Sequence, residues 1–315
     1  MINNRKLTLV IPVYNEEESL RPLYAEIQKH LPELTDLIGS YEMLFVDDGS
    51  TDASVQVVKE LAAQDPNVHM IVFRKNFGKA AALQAAFRAA DGDIVITMDA
   101  DLQDDPRELR SFIEKLDEGY DMVSGWKYNR LDPLEKRLPS KLFNKVTCKL
   151  SGVQLHDFNC GFKAYRKEVV KAIDVYGEYH RYIPVLAHRK GFKIAEIKVH
   201  HNKRQFGKSK YGFERYLRGL FDSMSSSFLL RYYDRPMYFF GKNGLKLCLL
   251  GGALTVAQIV LWILGAANGL HTCLLLGGLS FALGFLSFMM GYLANMIVDS
   301  AYRDGYSEAH VKERF

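Results

Sequence analysis

The chain has 315 residues, of which 25% are charged and 48% are hydrophobic, and its formal net charge is +4. This small excess, without a long basic run interleaved with aromatic residues, argues against a nucleic-acid-binding protein. The charge is unevenly placed, because Asp, Glu, Lys and Arg are all absent between Leu247 and Val298. The composition therefore predicts a charged globular part followed by a membrane segment.

Apolar runs of strand length alternate with helical patterns in the first part of the chain. Strands are predicted at residues 7–14, 41–46, 68–73, 93–98 and 120–125, and helices at 16–37, 51–63, 78–90 and 106–118. Ser50 or Thr51 is the predicted N-cap of the second helix, and Pro106 stands in the first turn of the fourth. Single helices between strands predict right-handed crossovers and an α/β fold with a mixed, mainly parallel sheet flanked by helices.

Less regular patterns follow between residues 138 and 240. A helix is predicted at 138–150 and strands at 162–165 and 193–199, before a glycine-containing basic loop at 205–211. The mixture of aromatic residues, arginine and leucine at 213–240 predicts amphipathic helices lying in a membrane interface. We therefore expect the globular part to end close to residue 212.

The uncharged stretch predicts a transmembrane hairpin. Residues 245–266 and 272–298 are each long enough to cross roughly 30 Å of hydrocarbon as a helix, with a turn at Asn268-Gly269. Basic residues flank the hairpin at its two outer ends and are missing from the turn: Arg231, Arg235, Lys242, Lys246, Arg303, Lys312 and Arg314. The positive-inside rule then places the globular part in the cytoplasm and the hairpin in the inner membrane as a multi-pass anchor. The alternative is a buried core hairpin of a soluble protein, in which so long an uncharged run is rare.

Several common site signatures are missing from the sequence. The four cysteines, Cys148, Cys160, Cys248 and Cys273, show no CxxC spacing and no metal-ligand pattern with histidine, so free thiols in a reducing compartment are expected. No GxGxxG follows the first strand and no GxxxxGK[ST] occurs. These absences argue against a dinucleotide oxidoreductase and against a P-loop NTPase.

Polar clusters follow four of the predicted strands where each strand ends. They are Asn15-Glu16, Asp47-Asp48, Arg74-Lys75-Asn76 and Asp99-Ala100-Asp101. In parallel sheets ligands bind beyond the carboxyl ends of the strands. The clusters therefore predict a binding site at this edge of the sheet.

The central chemical signal is a pair of carboxylates, Asp99 and Asp101, with Gln103 two residues further on. Carboxylates one residue apart at a strand end can converge on a hard divalent cation, Mg²⁺ or Mn²⁺, which would bridge the diphosphate of a nucleotide sugar. The alternative is a solvated turn. Asp47 is expected to accept hydrogen bonds from a base or ribose, whereas Asp52 fits a helix N-cap equally well.

Six segments together resemble a known enzyme family. They are IPVYNE (11–16), VDDGSTD (46–52), RKNFGK (74–79), DADLQDDP (99–106), DFNCGFKAYRKEV (157–169) and HHNKRQFGKSKY (200–211). They resemble the signature blocks of family 2 inverting glycosyltransferases of GT-A fold. More narrowly, the chain is similar to dolichol-phosphate mannosyltransferases and bacterial polyprenyl-phosphate (bactoprenol) glucosyltransferases, from about residue 7 to residue 211.

The resemblance implies a role for each of a set of residues. The nucleotide would be lined by Pro12, Tyr14, Glu16, Asp47, Lys79, Asp99 and Ala100, and the metal held by Asp99, Asp101 and Gln103. The acceptor phosphate would meet Ser124, Lys127, Arg130, Arg137, Arg204 and Lys210, although an exposed or headgroup-facing charge is an equal alternative for Lys127 and Arg137. Asp101 and Asp157 would be catalytic. Because a phosphate monoester is largely a dianion above pH about 6, Asp157 could orient the acceptor rather than act as a base.

The implied activity is the transfer, with inversion, of a hexose such as glucose from a nucleotide diphosphate sugar to polyprenyl phosphate. UDP is expected rather than GDP, by analogy with the bacterial two-helix relatives. The implied organisation is a cytoplasmic GT-A catalytic domain at 1–212, interfacial helices at 213–241, two transmembrane helices at 242–299 and a cytoplasmic tail at 300–315.

Two alternatives stay open at this point. A polysaccharide synthase of the same superfamily would usually carry a QxxRW block and more membrane helices, and this chain has no QxxRW. A membrane protein that binds nucleotide sugars without catalysis is the other alternative. A homo-oligomer is also possible in principle, because the small residues of Gly251-Gly252-Ala253 and Gly277-Gly278 would permit close helix packing between protomers.

Overall fold

The computed structural model of the chain describes residues 4–128, 134–177, 179–202, 232, 235–265 and 271–303. At 134–142, 271–272 and 299–303 it describes the backbone alone. The described residues divide into two compact units, one ending at residue 202 and the other beginning at residue 232.

The first unit is built on a seven-stranded sheet. Its strands are β1 (Lys6–Val13), β2 (Ser40–Asp47), β3 (Val68–Val72), β4 (Ile94–Thr97), β5 (Met122–Lys127), β6 (Lys163–Arg166) and β7 (Ile194–Val199). They lie in the order β3-β2-β1-β4-β6-β5-β7. All neighbours pair in parallel except β6, which is antiparallel to both β4 and β5. The predicted mixed, mainly parallel sheet is confirmed.

Seven helices of the first unit are described: α1 (Glu17–His30), α2 (Ser54–Gln64), α3 (Lys79–Ala89), α4 (Leu109–Asp117), α5 (Leu134–Ser151), α6 (Lys167–Ala172) and α7 (Ile183–Arg189). Short 3₁₀ turns occupy Leu31–Leu34, Pro106–Glu108 and Tyr179–Arg181. The predicted helix at 16–37 ends earlier, at His30, because Pro32 lacks an N–H group for the α-helical bond and the chain tightens into a 3₁₀ turn.

The predicted N-cap of α2 is wrong. The helix begins at Ser54, and its capping position has no side-chain hydrogen bond. Ser50 and Thr51 bond instead to the end of β1: the Asn15 N–H donates to Ser50 Oγ at 2.9 Å, and the Thr51 N–H donates to Asn15 Oδ1 at 2.8 Å. These bonds tie the ends of two neighbouring strands together.

The core runs through the centre of the sheet. Leu7, Leu9, Val10 and Ile11 of β1 are fully buried, as a continuous apolar run in a parallel strand covered on both faces should be. Burying such a side chain contributes about 1.5–3 kcal/mol. A central strand held this firmly fixes the position of the polar residues that follow it.

The second unit consists of α8 (Met237–Ile263) and α9 (His271–Arg303). Both are long and apolar enough to cross a membrane, by length and composition. They agree with the predicted two-helix hairpin. The helix α8 begins inside the predicted interfacial segment at 213–241, most of which lies outside the described residues.

Glycines bring α8 and α9 into close contact. A β-carbon built at Gly244 would stand 2.6 Å from the Gly284 carbonyl oxygen, and one built at Gly251 would stand 2.6 Å from that of Gly277. Their spacing of seven on each helix forms one continuous seam. The sequence permitted packing of these small residues between protomers; Gly251 and Gly277 pack within the chain, because the hairpin itself supplies a partner helix.

Candidate functional site

The strand ends at the carboxyl edge of the sheet are joined by side-chain hydrogen bonds. Besides the Asn15 contacts, Asp48 at the end of β2 accepts the N–H groups of Phe77 at 2.7 Å and Gly78 at 2.9 Å. These bonds fix the start of α3, and Lys79 in its first turn pairs with the Asp99 carboxylate after β4. The structure therefore places the predicted polar clusters of β1, β2 and β4 at one edge.

Asp47 offers an unused hydrogen-bond acceptor at this edge. Its Oδ2 accepts the N–H groups of Gly49 and Ser50, both at 3.1 Å. Its Oδ1 is buried and has no hydrogen-bond partner among the described residues. Because a buried carboxylate oxygen without a donor is costly, this atom fits a donor group of a ligand.

Two residues of this edge have a backbone conformation that is unusual for non-glycine residues. Asn15 has a φ of 55° and Leu102 a φ of 62°, both in the left-handed region. Asn15 follows β1, and Leu102 lies in the loop after β4 between Asp101 and Gln103. Local strain of this kind is concentrated at functional sites, where the surrounding contacts hold it in place.

Asp99 lies among cations. Burial opposes its ionisation, but the positive charges of Lys79 and Lys127 outweigh that effect and lower the pKa of Asp99 to about 2. Lys127, at the end of β5, also contacts the buried carboxylate of Asp104 at 3.3 Å. Asp104 in turn accepts the Asp99 N–H at 3.1 Å. Asp99 is thus held as a carboxylate in a loop that Asp104 braces.

Asp101 has the opposite electrostatic environment. Burial and the negative charges of Asp99 and Asp104 raise the pKa of Asp101 to about 6. Its Oδ1 accepts the Gln103 N–H at 3.2 Å, and Gln103 Nε2 lies 3.4 Å from His201 Nε2. A bound cation would offset this negative charge around Asp101.

The donor atoms of this loop fit a hard divalent cation only in part. Within the described ranges no three His, Cys, Asp or Glu residues are grouped to hold a metal. Asp99 and Asp101 supply two carboxylates, the type of ligand that Mg²⁺ prefers. Mg²⁺ sites commonly combine one or two carboxylates with substrate phosphates and water, so these two side chains suit a metal that arrives with a diphosphate.

The remaining predicted nucleotide residues lie around β1 and β4. Pro12 pairs with Val46 in the β1–β2 register, and Ala100 is buried. Tyr14 is 43% exposed, and the Glu16 side chain accepts the Ser19 hydroxyl at 3.1 Å. Pro12 and Tyr14 flank Val13, the register partner of Asp47, and Ala100 directly follows Asp99.

Two residues predicted to contact the acceptor phosphate, Ser124 and Lys127, lie on opposite faces of β5. Strand register places Ser124 on the row of Lys163 and Glu196, and its buried Oγ has no hydrogen-bond partner in the described part of the chain. Lys127, three residues later, points to the opposite face of the strand and reaches Asp104. Arg130, Arg204 and Lys210 lie outside the described residues, and the side chain of Arg137 in α5 is not described.

Asp157 lies in the segment that leads from α5 to β6 and is 1% exposed. Its N–H donates to Glu196 at 3.0 Å, and its Oδ1 accepts the Asn159 N–H at 3.0 Å. The same segment ends at Gly161, which touches the Asp99 carboxylate. The antiparallel strand β6, inserted between β4 and β5, thus places the segment that carries Asp157 beside the Asp99 carboxylate.

Sequence reasoning missed three residues that shape this site: Asp104, Gly161 and Lys163. Asp104 stands within the DADLQDDP segment, where a third acidic position was a visible signal. Gly161 and Lys163 stand within the DFNCGFKAYRKEV segment, but the sequence did not single them out, because their contacts depend on the placement of β6.

Comparison with known proteins agrees with this architecture. A dodecaprenyl-phosphate galacturonate synthase of Rhizobium johnstonii is 34% identical over 98% of this chain and 93% of its own length. An undecaprenyl-phosphate 4-deoxy-4-formamido-L-arabinose transferase of Proteus mirabilis is 35% identical over 85% of this chain and 81% of its own. Glucosyl-3-phosphoglycerate synthase from Mycobacterium tuberculosis, solved with Mg²⁺ and UDP, has a TM-score of 0.52 at 20% identity, covering 71% of this chain and 79% of that one.

The match to a protein family covers the first part of the chain. Residues 8–174, which run from β1 to the end of α6, match glycosyl transferase family 2. The solved neighbour shares the fold, and the Rhizobium johnstonii relative, which matches 98% of this chain, extends the similarity across the apolar helices. The chain therefore belongs to glycosyl transferase family 2, as its sequence motifs predicted.

Proposed function

We propose that this protein transfers a sugar, with inversion, from a nucleotide diphosphate sugar to a polyprenyl phosphate. The observation that carries the proposal is the carboxyl edge of the sheet, where the unsatisfied Oδ1 of Asp47 lies along one edge with the paired carboxylates of Asp99 and Asp101. The acceptor follows from the relatives, which are named as polyprenyl-phosphate sugar transferases. The two apolar helices support an acceptor that resides in a membrane.

The donor would bind across β1, β2 and β4. Asp47 accepts a hydrogen bond from the base or ribose, and Tyr14, which follows the register partner of Asp47, offers a half-exposed ring. Asp99 and Asp101 hold Mg²⁺ or Mn²⁺, as the GT-A neighbours solved with Mg²⁺ or Mn²⁺ and UDP suggest. That metal supplies charge neutralisation of the departing nucleoside diphosphate.

Lys79 and Lys127 add positive charge beside the metal carboxylates. The Lys79 side chain is 35% exposed and that of Lys127 is 11% exposed, and both lie close enough to Asp99 to lower its pKa. Fixed cations of this kind stabilise the charge that develops on a leaving diphosphate without having to reorganise. Lys127 would also contact the acceptor phosphate, with its amine held in place by Asp104.

The acceptor phosphate attacks the anomeric carbon from the face opposite the leaving group. A phosphate monoester has a second pKa near 6, so the attacking oxygen needs little deprotonation at neutral pH. Asp157, held by the Asn159 N–H and by Glu196, then serves to orient the acceptor or a cation beside it rather than to remove a proton.

The sequence resemblance and the relatives point to different sugars. The sequence resemblance implied a hexose such as glucose, whereas the relatives are named for galacturonate and for 4-deoxy-4-formamido-L-arabinose. We therefore propose a UDP-linked donor whose sugar is a hexose, a uronic acid or an amino sugar. The catalytic unit would work on the cytoplasmic face of the inner membrane, anchored by α8 and α9.

A transfer assay tests the proposal directly. Purified full-length protein in detergent would be mixed with undecaprenyl phosphate, Mn²⁺ or Mg²⁺ and a panel of UDP- and GDP-sugars, and glycolipid would be detected by mass spectrometry. One glycolipid that disappears with EDTA is the expected result. If no donor gives glycolipid while the protein still binds UDP, the transferase proposal is wrong and binding of nucleotide sugars without catalysis replaces it.

A further inference from the structure

The segment from His156 to Phe162, here the 156–162 segment, is anchored along its backbone. Its carbonyl groups accept from Asn144 Nδ2 at His156 (2.6 Å), from Thr97 Oγ1 at Gly161 (2.7 Å) and from the Gly125 N–H at Phe162 (2.9 Å). The Glu196 carboxylate accepts the N–H groups of His156 and Asp157. Three side chains and one backbone N–H group therefore hold this short segment in one conformation.

Lys163 supplies two more of these anchors. It follows the segment as the first residue of β6 and is 2% exposed. Its Nζ donates to the carbonyl oxygen of Cys160 and, at 3.3 Å, to that of Phe158. One amine therefore closes the turn between residues 158 and 160 from the inside.

A lysine in this position is costly and needs a reason. Burial disfavours its charge and lowers the pKa of Lys163, while the negative charges of Asp157 and Asp99 act against that change. An apolar side chain would avoid the desolvation cost altogether. An apolar residue could not donate to two backbone carbonyls, and those carbonyls would then be buried without partners.

Residues near the two ends of the segment lie at the two carboxylates of the proposed reaction, Asp157 and Asp99. Asp157, at its start, is the carboxylate on the acceptor side. Gly161, at its end, lies so close to Asp99 that a β-carbon there would be 2.6 Å from Oδ2. A shift of the turn between them would move Asp157 and disturb the Asp99 carboxylate together.

We propose that Lys163 is a positioning residue, whose two hydrogen bonds to the 156–162 segment set the placement of Asp157 relative to Asp99. This inference rests on the proposed function, because it assigns Lys163 to the geometry of sugar transfer. Lys163 itself touches neither donor nor acceptor in this scheme. It acts through the backbone of the segment.

The test compares Lys163→Met with a matched control, Tyr165→Phe. Met keeps the length and apolar stem of lysine and removes the donors. Tyr165 lies two residues along the same face of β6, is equally buried, and has a hydroxyl with no hydrogen-bond partner in the described structure. The Tyr165 hydroxyl lies beside Thr97 and makes no hydrogen bond to the 156–162 segment, so its removal alters a buried polar group and leaves both Lys163 hydrogen bonds in place.

Rates are measured on the full-length protein in detergent and expressed per nucleotide-binding site, counted by titration with UDP and Mn²⁺. Expressing the rate per site separates a positioning effect from a loss of folded protein, because misfolded molecules bind no UDP and are not counted. For Lys163→Met we expect the rate per site to fall about 10- to 100-fold, as misplacement by about 1 Å can cost. The KM for the nucleotide sugar should stay within about threefold, and Lys163→Arg, which keeps donors, should recover part of the rate.

A rate per site within threefold of wild type in Lys163→Met, or an equal fall in Tyr165→Phe, overturns the proposal. If Lys163→Met does not fold, Thr97→Val decides, since it removes the hydroxyl that donates to the carbonyls of Gly161 (2.7 Å) and Lys163 (3.4 Å) at the end of the same segment. A lowered rate per site in Thr97→Val supports the assignment, and an unchanged one overturns it.

Hydrogen exchange gives a readout that does not depend on activity. Lys163→Met should raise exchange of amides in 157–162 and leave the peptide that contains Asp47 unchanged, whereas Tyr165→Phe should raise neither. If the wild-type protein transfers no sugar, the proposed function fails, and exchange alone still decides whether Lys163 holds the segment. Unchanged exchange at 157–162 refutes the role of Lys163 even in an active enzyme.

Discussion

Gly161 lies directly against the carboxylate of Asp99: a β-carbon at Gly161 would stand 2.6 Å from Oδ2 and 2.7 Å from Oδ1. Real β-carbons do not approach other atoms so closely, so even alanine at position 161 must displace the carboxylate or the backbone. The contact couples β6, an antiparallel strand, to the acidic loop after β4. It also makes the smallest possible substitution a sharp probe of the site.

We expect Gly161→Ala to weaken metal-dependent binding of UDP by at least about tenfold, which corresponds to about 1.4 kcal/mol. The reason is displacement of Asp99 from its position beside Asp101. Isothermal titration with UDP in the presence and absence of Mn²⁺ measures the effect. Binding of UDP without metal should change far less, and equal losses in both titrations would show that the substitution acts by unfolding.

Asp101→Asn should lower kcat/KM by roughly 100-fold or more, because it removes a carboxylate charge at the metal while keeping the shape of the side chain. Asp105→Asn is the matched control. Asp105 lies in the same loop and is more deeply buried than Asp101, but it pairs with Arg107 and caps the following turn. Asparagine also caps well, so the control should retain nearly full activity. Wild-type activity in Asp101→Asn would contradict the assignment of this loop.

Asp47→Asn should weaken UDP binding by about 10- to 100-fold, since a hydrogen bond to a charged acceptor contributes about 1.5–3 kcal/mol. Asp65→Asn serves as its control. Asp65 is also a buried carboxylate, bonded to Tyr24 and Gln28, and it precedes β3 at the opposite end of the strand. Fluorescence or calorimetric titration with UDP compares the two variants, and equal affinities would remove Asp47 from the donor site.

In the second unit, Gly251→Leu should destabilise the hairpin, and Gly252→Leu should not. Leucine at Gly251 would meet the backbone of Gly277 and Phe281, whereas no atom of the described chain lies within 4 Å of a β-carbon at Gly252. Overpacking of this kind costs about 1–3 kcal/mol. The thermal midpoint of aggregation in detergent, read by size-exclusion chromatography, measures the difference.

The neighbouring pair Gly277 and Gly278 provides an independent repeat of this comparison, because Gly277 packs against Gly251 and Thr255 while Gly278 is open. Equal midpoints for the seam and control variants in both pairs would contradict the packing of α8 on α9. A selective change of oligomeric state in the Gly252 or Gly278 variants would instead reveal a contact between protomers.

Glu42→Gln should destabilise the catalytic unit in a pH-dependent way. Burial opposes ionisation of Glu42, but hydrogen bonds from Lys6 and Thr8 outweigh it and lower the pKa of this carboxyl below its usual value. A carboxyl with a depressed pKa stabilises the fold above its unfolded pKa of about 4.3, and that contribution is lost as pH falls through the folded value.

The stability gap between wild type and Glu42→Gln is therefore expected to be about 1–3 kcal/mol near neutral pH and to shrink below pH about 4. Unfolding followed by scanning fluorimetry at a series of pH values measures it. The exposed Glu18→Gln in α1 is the control and should show little gap at any pH. A gap for Glu42→Gln that widens as pH falls would reverse the sign of the argument.

The sequence determined much of this protein because its signals are local. Strand-length runs such as residues 7–14 and 41–46 gave β1 and β2 within a residue or two, and the order of strands and helices gave the α/β class. The carboxylates of Asp47, Asp99 and Asp101 stand out because polar residues directly follow apolar strands. The uncharged stretch predicted α8 and α9, because length and composition alone identify a candidate membrane-spanning helix.

Only the tertiary structure decided which residues meet across the chain. The short run at 162–165 predicts a strand but not that β6 enters the sheet antiparallel between β4 and β5, and this placement alone brings Gly161 to Asp99 and Lys163 beneath the 156–162 segment. It likewise decided that Lys127 reaches Asp104, away from Ser124. The physical reason is that periodicity records which face of an element is buried, whereas pairing between distant strands is chosen by the packing of the whole core.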